Sequence, residues 1–487
     1  MNFVSILFLC LFLPITLIIY YSFYKHAIIQ NAVLVVANFI FYISYGVFPV
    51  IYLLISIGVT YFAGLLMNKY HSKKKIIFII SLILNLSSLL ICKYLGFLLG
   101  NVNILLNVFK ISLPVPKILL PVGLSFFVFQ SCTYLFDIYN EKTQVERNFI
   151  NFTAFVSFFP TIVSGPIQKS KDFLPLLRRE RKLNFYSTQK AVLLFLWGCF
   201  LKIVISNRLA IFTNEVFLNY VSYGTFELLF CAIGYAIQIY TDFAGYSLMA
   251  ISVAILFGFE LKDNFRQPYF ARTIPDFWKR WHISLTSWLT EYIFIPLGGS
   301  RNGKLKNYVN ILIVFLISGI WHGAGWNFII WGALHAVYQV VGKVSLEWRI
   351  KVCNNLKINR ESAVFKIYQH ITVFVLVTFA WIFFRLTNVA DAFGYISHMF
   401  TNFNPWVLVS NLYSIGITKS DFNILICAFI TLFIVSKYKE KGKDISSIVE
   451  SNCIIKSLIT IVLVFTILIF GTWGPGFDAG SFIYAGF

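Results

Sequence analysis

The chain has 487 residues, 58% of them hydrophobic and only 12% charged, with a formal net charge of +20 and a mean hydropathy of +0.77. Soluble domains carry about 25% charged residues, so a chain this poor in charge is unable to cover a water-facing surface and its apolar runs must face lipid. That excludes the roughly three soluble domains the length alone suggests, and it makes the excess of Lys and Arg a matter of membrane topology rather than of nucleic-acid binding.

The first run, MNFVSILFLCLFLPITLIIYY, has no charged side chain before Lys25. It lacks the basic start and the small-residue cleavage site of a secretory signal peptide and reads as a retained span. Further apolar runs lie near 28–48, 50–67, 76–99, 118–136, 188–206, 226–258, 307–320, 326–342, 367–384, 422–436 and 454–472. Each approaches the roughly 20 residues a helix needs to cross the hydrocarbon core. The expected fold is an all-α polytopic membrane protein, a single integral domain of about eleven or twelve crossings with some segments re-entrant. Residues 1–110 read as scaffold spans, 118–342 hold the unusual polar and Gly/Pro-rich sequence, and 343–487 return to ordinary spans. Basic clusters at Lys69 and Lys73 to Lys75, at Lys169 to Lys190 and at Lys437 to Lys443 are expected on the cytoplasmic face. This puts the N-terminus and the tail after residue 472 outside a cytoplasmic (inner) membrane. Eight scattered cysteines show no CxxC spacing and indicate neither a zinc site nor a disulfide framework.

In the middle zone, FFPTIVSGPIQKSKDFLPLLRRERK (158–182) sets Pro160, Gly165 and Pro166 in an apolar stretch that then turns basic. Non-helical backbone at membrane depth survives only when buried in protein or lining a wet cavity, so a bent or re-entrant segment is expected. QIYTDFAGYS (238–247) places Asp242 inside a long apolar run, where a carboxylate is expensive and a functional candidate by default. The stretch 264–301 mixes Arg266, Arg272, Lys279 and Arg280 with Trp278, Trp281 and Trp288. Asp276, after Pro275, marks a helix start. An amphipathic helix at the membrane interface accounts for this pattern without any ligand.

Of seven histidines, His26, His71, His370 and His398 lie beside loops or span ends. His322 sits in a Gly-rich kink, flanked by Trp321 and Trp326. His is the side chain that changes charge near neutral pH, and catalysis and a satisfied structural role are both open for it. His335, thirteen residues on, would face nearly the opposite way on one continuous helix. It reads as an interhelical hydrogen-bond partner.

The segments RWHISLT (280–286), PLGGSR (296–301) and SGIWHGAGWNFIIWG (318–332), with PVGLSFFVFQSCTYLFDIY (121–139), FFPTIVSGPI (158–167) and YTDFAGYS (240–247) upstream, resemble the membrane-bound O-acyltransferase family. The likeness is to the bacterial branch that acts on alginate, peptidoglycan and teichoic acids. It runs over most of the chain and is densest between about 118 and 342. It implies a ring of tilted helices around a central tunnel, with the acyl donor approaching from the cytoplasm and the acceptor from outside. It also places the family's catalytic histidine on His322 and its second functional histidine on His282. The final FIYAGF is less aromatic than the tail of alginate-type relatives, so the resemblance does not specify the acceptor.

The implied reaction is transfer of an acetyl group from acetyl-CoA to hydroxyls of an extracytoplasmic polysaccharide, aided by an extracytoplasmic acetyltransferase- or esterase-like partner. His322 is then the general base, its pKa near neutrality because burial disfavours the charged ring. His282 would position donor or acceptor, or donate to the oxyanion. Arg266, Arg272, Lys279 and Arg280 suit the coenzyme phosphates, although positive-inside topology explains them equally. Asp242, Gln130, Tyr134 and Trp321 are candidates for orientation or acceptor binding, with interhelical hydrogen bonds as the alternative for the first three. No bound cofactor and no metal are indicated. Competing readings are D-alanyl transfer to teichoic acid, a transporter or flippase for acyl or glycan units, and a scaffold for polysaccharide export.

Overall fold

A computed structural model describes residues 1–407, 416–443, 452–472 and 483. Among these the secondary structure is helical, without a strand. Seven helices are long and apolar enough to cross a bilayer: Val47–Lys69, His71–Phe109, Phe185–Leu218, Thr225–Leu256, Lys304–His322, Ala363–Arg385 and Lys419–Glu440. Trp326–Val344 and Leu346–Asn355, bent by 52° at their junction, make an eighth if taken as one broken span. Shorter apolar helices cover Leu7–Ser22, Ala27–Ile43, Phe149–Ile162 and Ile454–Phe470. The chain is thus a multi-pass membrane protein. The run expected near 118–136 becomes helical only at Leu124–Tyr139, because Pro114, Pro116 and Pro121 supply no backbone donor and restrict the residues before them. The tail assigned to the outside, including most of FIYAGF, lies outside the described residues.

The described residues form two compact units. The first comprises Met1–Phe195 with Ser247–Lys262. Its helices are tied by buried amides: Asn31 Nδ2 donates to Asn151 Oδ1 (2.8 Å) and to Leu177 O (2.7 Å), and Asn38 Nδ2 donates to Ser157 Oγ (3.0 Å). In lipid such bonds hold helices together where no hydrophobic difference does. The bent segment foreseen around Pro160 is present. The helix Phe149–Val156 stops, a single turn Phe159–Ile162 follows, and the chain resumes helix at Ser170–Leu177. Every residue from 151 to 168 is buried, and the Phe159 N–H donates to Asn38 Oδ1 at 2.9 Å, so the broken backbone is satisfied inside protein. Gly123, at φ +75°, lies against this turn; a Cβ there would stand 2.3 Å from Ile162 O.

The second unit comprises Leu196–Tyr246 and the described residues from Asp263 onward. Within it, the part of the helix Phe185–Leu218 from Leu196 onward widens to a π-helical stretch at Phe200–Ser206. Ile203 O accepts there from Thr472 Oγ1 (2.9 Å), while Arg208 Nη1 donates to Phe470 O (2.8 Å) and Arg208 Nε to Asp421 Oδ1 (2.9 Å). A π-bulge releases carbonyls from the regular ladder, and the C-terminal span supplies a partner. Lys304–His322 and Trp326–Val344 form an antiparallel hairpin of very close approach. A Cβ on Gly319 would lie 2.3 Å from Phe328 O, and one on Gly332 would lie 2.4 Å from Phe315 O.

Gly332→Val is therefore expected to force the hairpin apart, with the cost of overpacking, about 1–3 kcal/mol or more. A thermal melt of the purified protein in detergent should show a lowered midpoint. Gly342→Val, where a Cβ meets nothing within 4 Å, is the matched control.

Candidate active site

His322 closes the helix Lys304–His322 and is 1% exposed. Three aromatic rings wall its imidazole: Trp321 (centroids 4.8 Å apart), Trp331 (4.9 Å) and Phe384 (5.1 Å), each near edge-on. The sequence neighbours suggested Trp321 and Trp326. The structure replaces Trp326, which is 56% exposed, with Trp331, because the hairpin turns the next helix so that its second turn faces His322. Phe384 is brought in by the helix Ala363–Arg385, to which Asn327 is tied by an Nδ2 hydrogen bond to Phe383 O at 3.3 Å.

His282 lies between the short helices Ile274–Arg280 and Ile283–Leu289, fully buried, in the left-handed conformation at φ +43° and ψ +54°. Non-glycine residues rarely occupy this region without a structural or functional reason. Two backbone bonds pin the turn: Arg266 N–H to Arg280 O and Ile283 N–H to Asn264 O, both 2.9 Å. His282 Nδ1 is 3.1 Å from Asn264 Oδ1, which also accepts from the Ser284 N–H (3.1 Å) and Oγ (2.9 Å). A backbone N–H only donates, so this Asn264 atom is the carbonyl oxygen and His282 Nδ1 must carry the proton. The neutral ring then has its lone pair on Nε2. Trp321 links the two histidines, its ring 5.9 Å from His282 and 4.8 Å from His322.

His335 accepts a hydrogen bond at Nδ1 from Trp278 Nε1–H (3.3 Å), the interhelical role its position suggests. The expectation that it faces away from His322 assumed one helix; the break at residues 323–325 instead puts both imidazoles 4.9 Å from Trp331.

The remaining candidates are distributed. Asp242 forms a buried ion pair with Lys202, Oδ1 to Nζ 2.5 Å, with side chains 1% and 5% exposed, and Ser206 Oγ lies 3.4 Å from the same oxygen. The two helices meet closely here, since a Cβ on Gly245 would lie 2.7 Å from Gly198 O. In the first unit, Gln130 donates to Phe155 O and Tyr134 Oη accepts from the Glu146 N–H at 3.0 Å; both tie the bundle together. The helix expected to start at Asp276 starts two residues earlier, at Ile274, with Thr273 as the cap whose Oγ1 accepts from the Asp276 N–H at 3.2 Å. Arg280 is clamped by Asp276 (2.9 Å) and Glu440 (2.7 Å), and the Glu440 carboxylate, ahead of Asp276, holds its guanidinium protonated to unusually high pH. Arg272 lies 3.9 Å from Glu361, while Arg266 and Lys279 are exposed. Sequence reasoning missed Lys202, Asn264, Trp331 and Phe384. Only Lys202 carried a signal, as a cation deep inside the apolar run 188–206, whose other cation, Lys190, lies near its start.

Residues 115–389 match the sequence profile of MBOAT, the membrane-bound O-acyltransferase family. Among curated relatives, the "Probable alginate O-acetylase AlgI" of Pseudomonas syringae pv. tomato is 33% identical over 459 residues, 91% of this chain and 85% of the relative. The peptidoglycan O-acetyltransferase of Helicobacter pylori is 32% identical over 424 residues, covering 81% and 78%. The teichoic acid D-alanyltransferase of Bacillus subtilis is 26% identical over 250 residues, covering 47% and 60%.

The Lys202–Asp242 pair separates structure from chemistry. Removing one partner of a buried pair costs about 3–5 kcal/mol, whereas replacing both with apolar groups is often neutral. Lys202→Met is expected to lower the yield of folded protein and Lys202→Met/Asp242→Leu to restore it. If the double variant is folded and fully active, Asp242 acts only in packing; if it is folded but inactive, Asp242 serves the reaction.

Proposed function

As this chain belongs to the membrane-bound O-acyltransferase family and is an O-acyltransferase, we propose that it moves an acetyl group from acetyl-CoA, on the cytoplasmic side, to hydroxyls of an envelope polysaccharide outside the cytoplasmic membrane. The observation that carries this reading is the aromatic enclosure of His322, with His282 against the shared Trp321. An alcohol attacking a thioester must lose a proton, and an imidazole screened from water can accept it. His322 takes that proton as the oxygen bonds to the acetyl carbonyl. The tetrahedral oxyanion collapses, the carbon–sulfur bond breaks, and the coenzyme thiolate leaves, recovering the proton from His322. Both products are then neutral at the reacting atoms.

His282 positions the acceptor in this scheme. With its Nδ1 proton directed at Asn264, the neutral ring offers a lone pair at Nε2, which suits a hydroxyl donor. Donation to the oxyanion would require the imidazolium. Acetyl rather than D-alanyl transfer is favoured by coverage, since the acetyltransferase relatives align over 81–91% of this chain and the D-alanyltransferase over 47%. An extracytoplasmic acetyltransferase- or esterase-like partner completes delivery to the polymer.

The test is base-labile acetate on envelope polysaccharide in cells carrying wild type, His322→Ala or a deletion. His322→Ala protein that still reaches the membrane should lose about 10²–10⁴ of the transfer rate. Full acetylation by His322→Ala, with loss in the deletion strain, overturns the assignment of the base. Transfer that consumes a charged carrier protein and not acetyl-CoA overturns the donor. Asn264→Leu, which removes the acceptor for the Nδ1 proton, should lower transfer less than His322→Ala does.

A further inference from the structure

The first unit contains a second polar site that the reaction scheme does not use. Three stretches converge on one cavity of about 990 Å³: the turn after Val47–Lys69, the turn after Leu124–Tyr139, and Arg178. Its charged lining includes Lys74, Lys142, Arg147 and Arg178 against Glu141 and Glu146, so permanent cations outnumber carboxylates two to one. Two of the cations are paired with carboxylates, one of them buried. Glu146, 4% exposed, receives Arg178 Nε (3.2 Å) and Nη2 (2.9 Å) on Oε2, while its Oε1 accepts from the Asn148 N–H at 3.0 Å. Lys74 Nζ is 2.7 Å from Glu141 Oε1. Lys142 and Arg147, also on the lining, are exposed.

The turn at 69–75 joins the spans Val47–Lys69 and His71–Phe109, and its basic residues put it on the cytoplasmic side by the distribution of Lys and Arg. That is the leaflet whose anionic lipids attract basic pockets between transmembrane helices. The volume lies in the range of small-ligand sites. We propose that this cavity seats the phosphodiester headgroup of an anionic phospholipid, with Arg178 as the oriented fork and Lys142 and Arg147 as the adaptable contacts. Guanidinium groups match phosphate oxygens in pairs. This holds whichever acyl donor and acceptor the enzyme uses.

Native mass spectrometry of the full-length protein, released from detergent with added phosphatidylglycerol, phosphatidylcholine or inorganic phosphate, tests this. Wild type should retain phosphatidylglycerol over phosphatidylcholine. Lys142→Glu/Arg147→Glu should retain it at least roughly tenfold less. Lys304→Glu, at a position 86% exposed in the second unit, should behave as wild type. Equal retention of the two lipids by wild type overturns the proposal even if the double variant does not fold. Equal retention by all three proteins also overturns it, as does retention of inorganic phosphate without lipid.

Discussion

A bilayer core offers no water, so each backbone N–H and C=O released from a helix must find a partner within the protein, and departures from regular helix are confined to places where one exists. The break around Pro160 is tolerated because Asn38 receives the Phe159 N–H and the whole segment is buried. The π-helical stretch at Phe200–Ser206 is tolerated because Thr472 and Arg208 meet its carbonyls. Backbone satisfaction therefore dictates which amides, hydroxyls and arginines must lie inside an otherwise apolar chain, and much of the buried polar inventory is explained before any catalytic role is assigned.

What that inventory leaves over is informative. His322 and His282 are buried, lie on different elements, and meet the same indole. The aromatic walls do two jobs. They exclude water from the imidazole of His322, and they fix its plane through near edge-on contacts of the kind aromatic rings prefer. The hairpin supports this by bringing backbones together at Gly319 and Gly332, so that Trp331 reaches back to the histidine at the turn.

The apolar helices, the bent segment at Pro160 and a helix start near Asp276 could be read directly, because each leaves a local mark: an apolar run, a proline inside it, or a Pro-Asp pair. The two histidines are singled out as candidates by the resemblance of WHG and RWHISLT to the family. The partners could not be read this way. That Asn264 sets the His282 tautomer, that Trp331 and not Trp326 walls His322, and that Lys202 neutralises Asp242 are pairings across 18, 9 and 40 residues, and they depend on helix phase and on where each helix stops. The helix break at residues 323–325 shows this most directly, since a continuous helix would have separated His322 from His335 by nearly half a turn of azimuth.

The left-handed backbone of His282 bears on how this position tolerates change. An L-residue with a Cβ pays about 1–2 kcal/mol in that region, which glycine avoids and asparagine partly relieves. Replacing His282 would relieve that strain but would open a cavity in a fully buried site and remove the hydrogen bond to Asn264, costs of at least similar size. Position 282 thus sets backbone strain against burial, and, on the role proposed for its imidazole, selection for stability alone has no reason to keep histidine over another side chain of similar size and polarity.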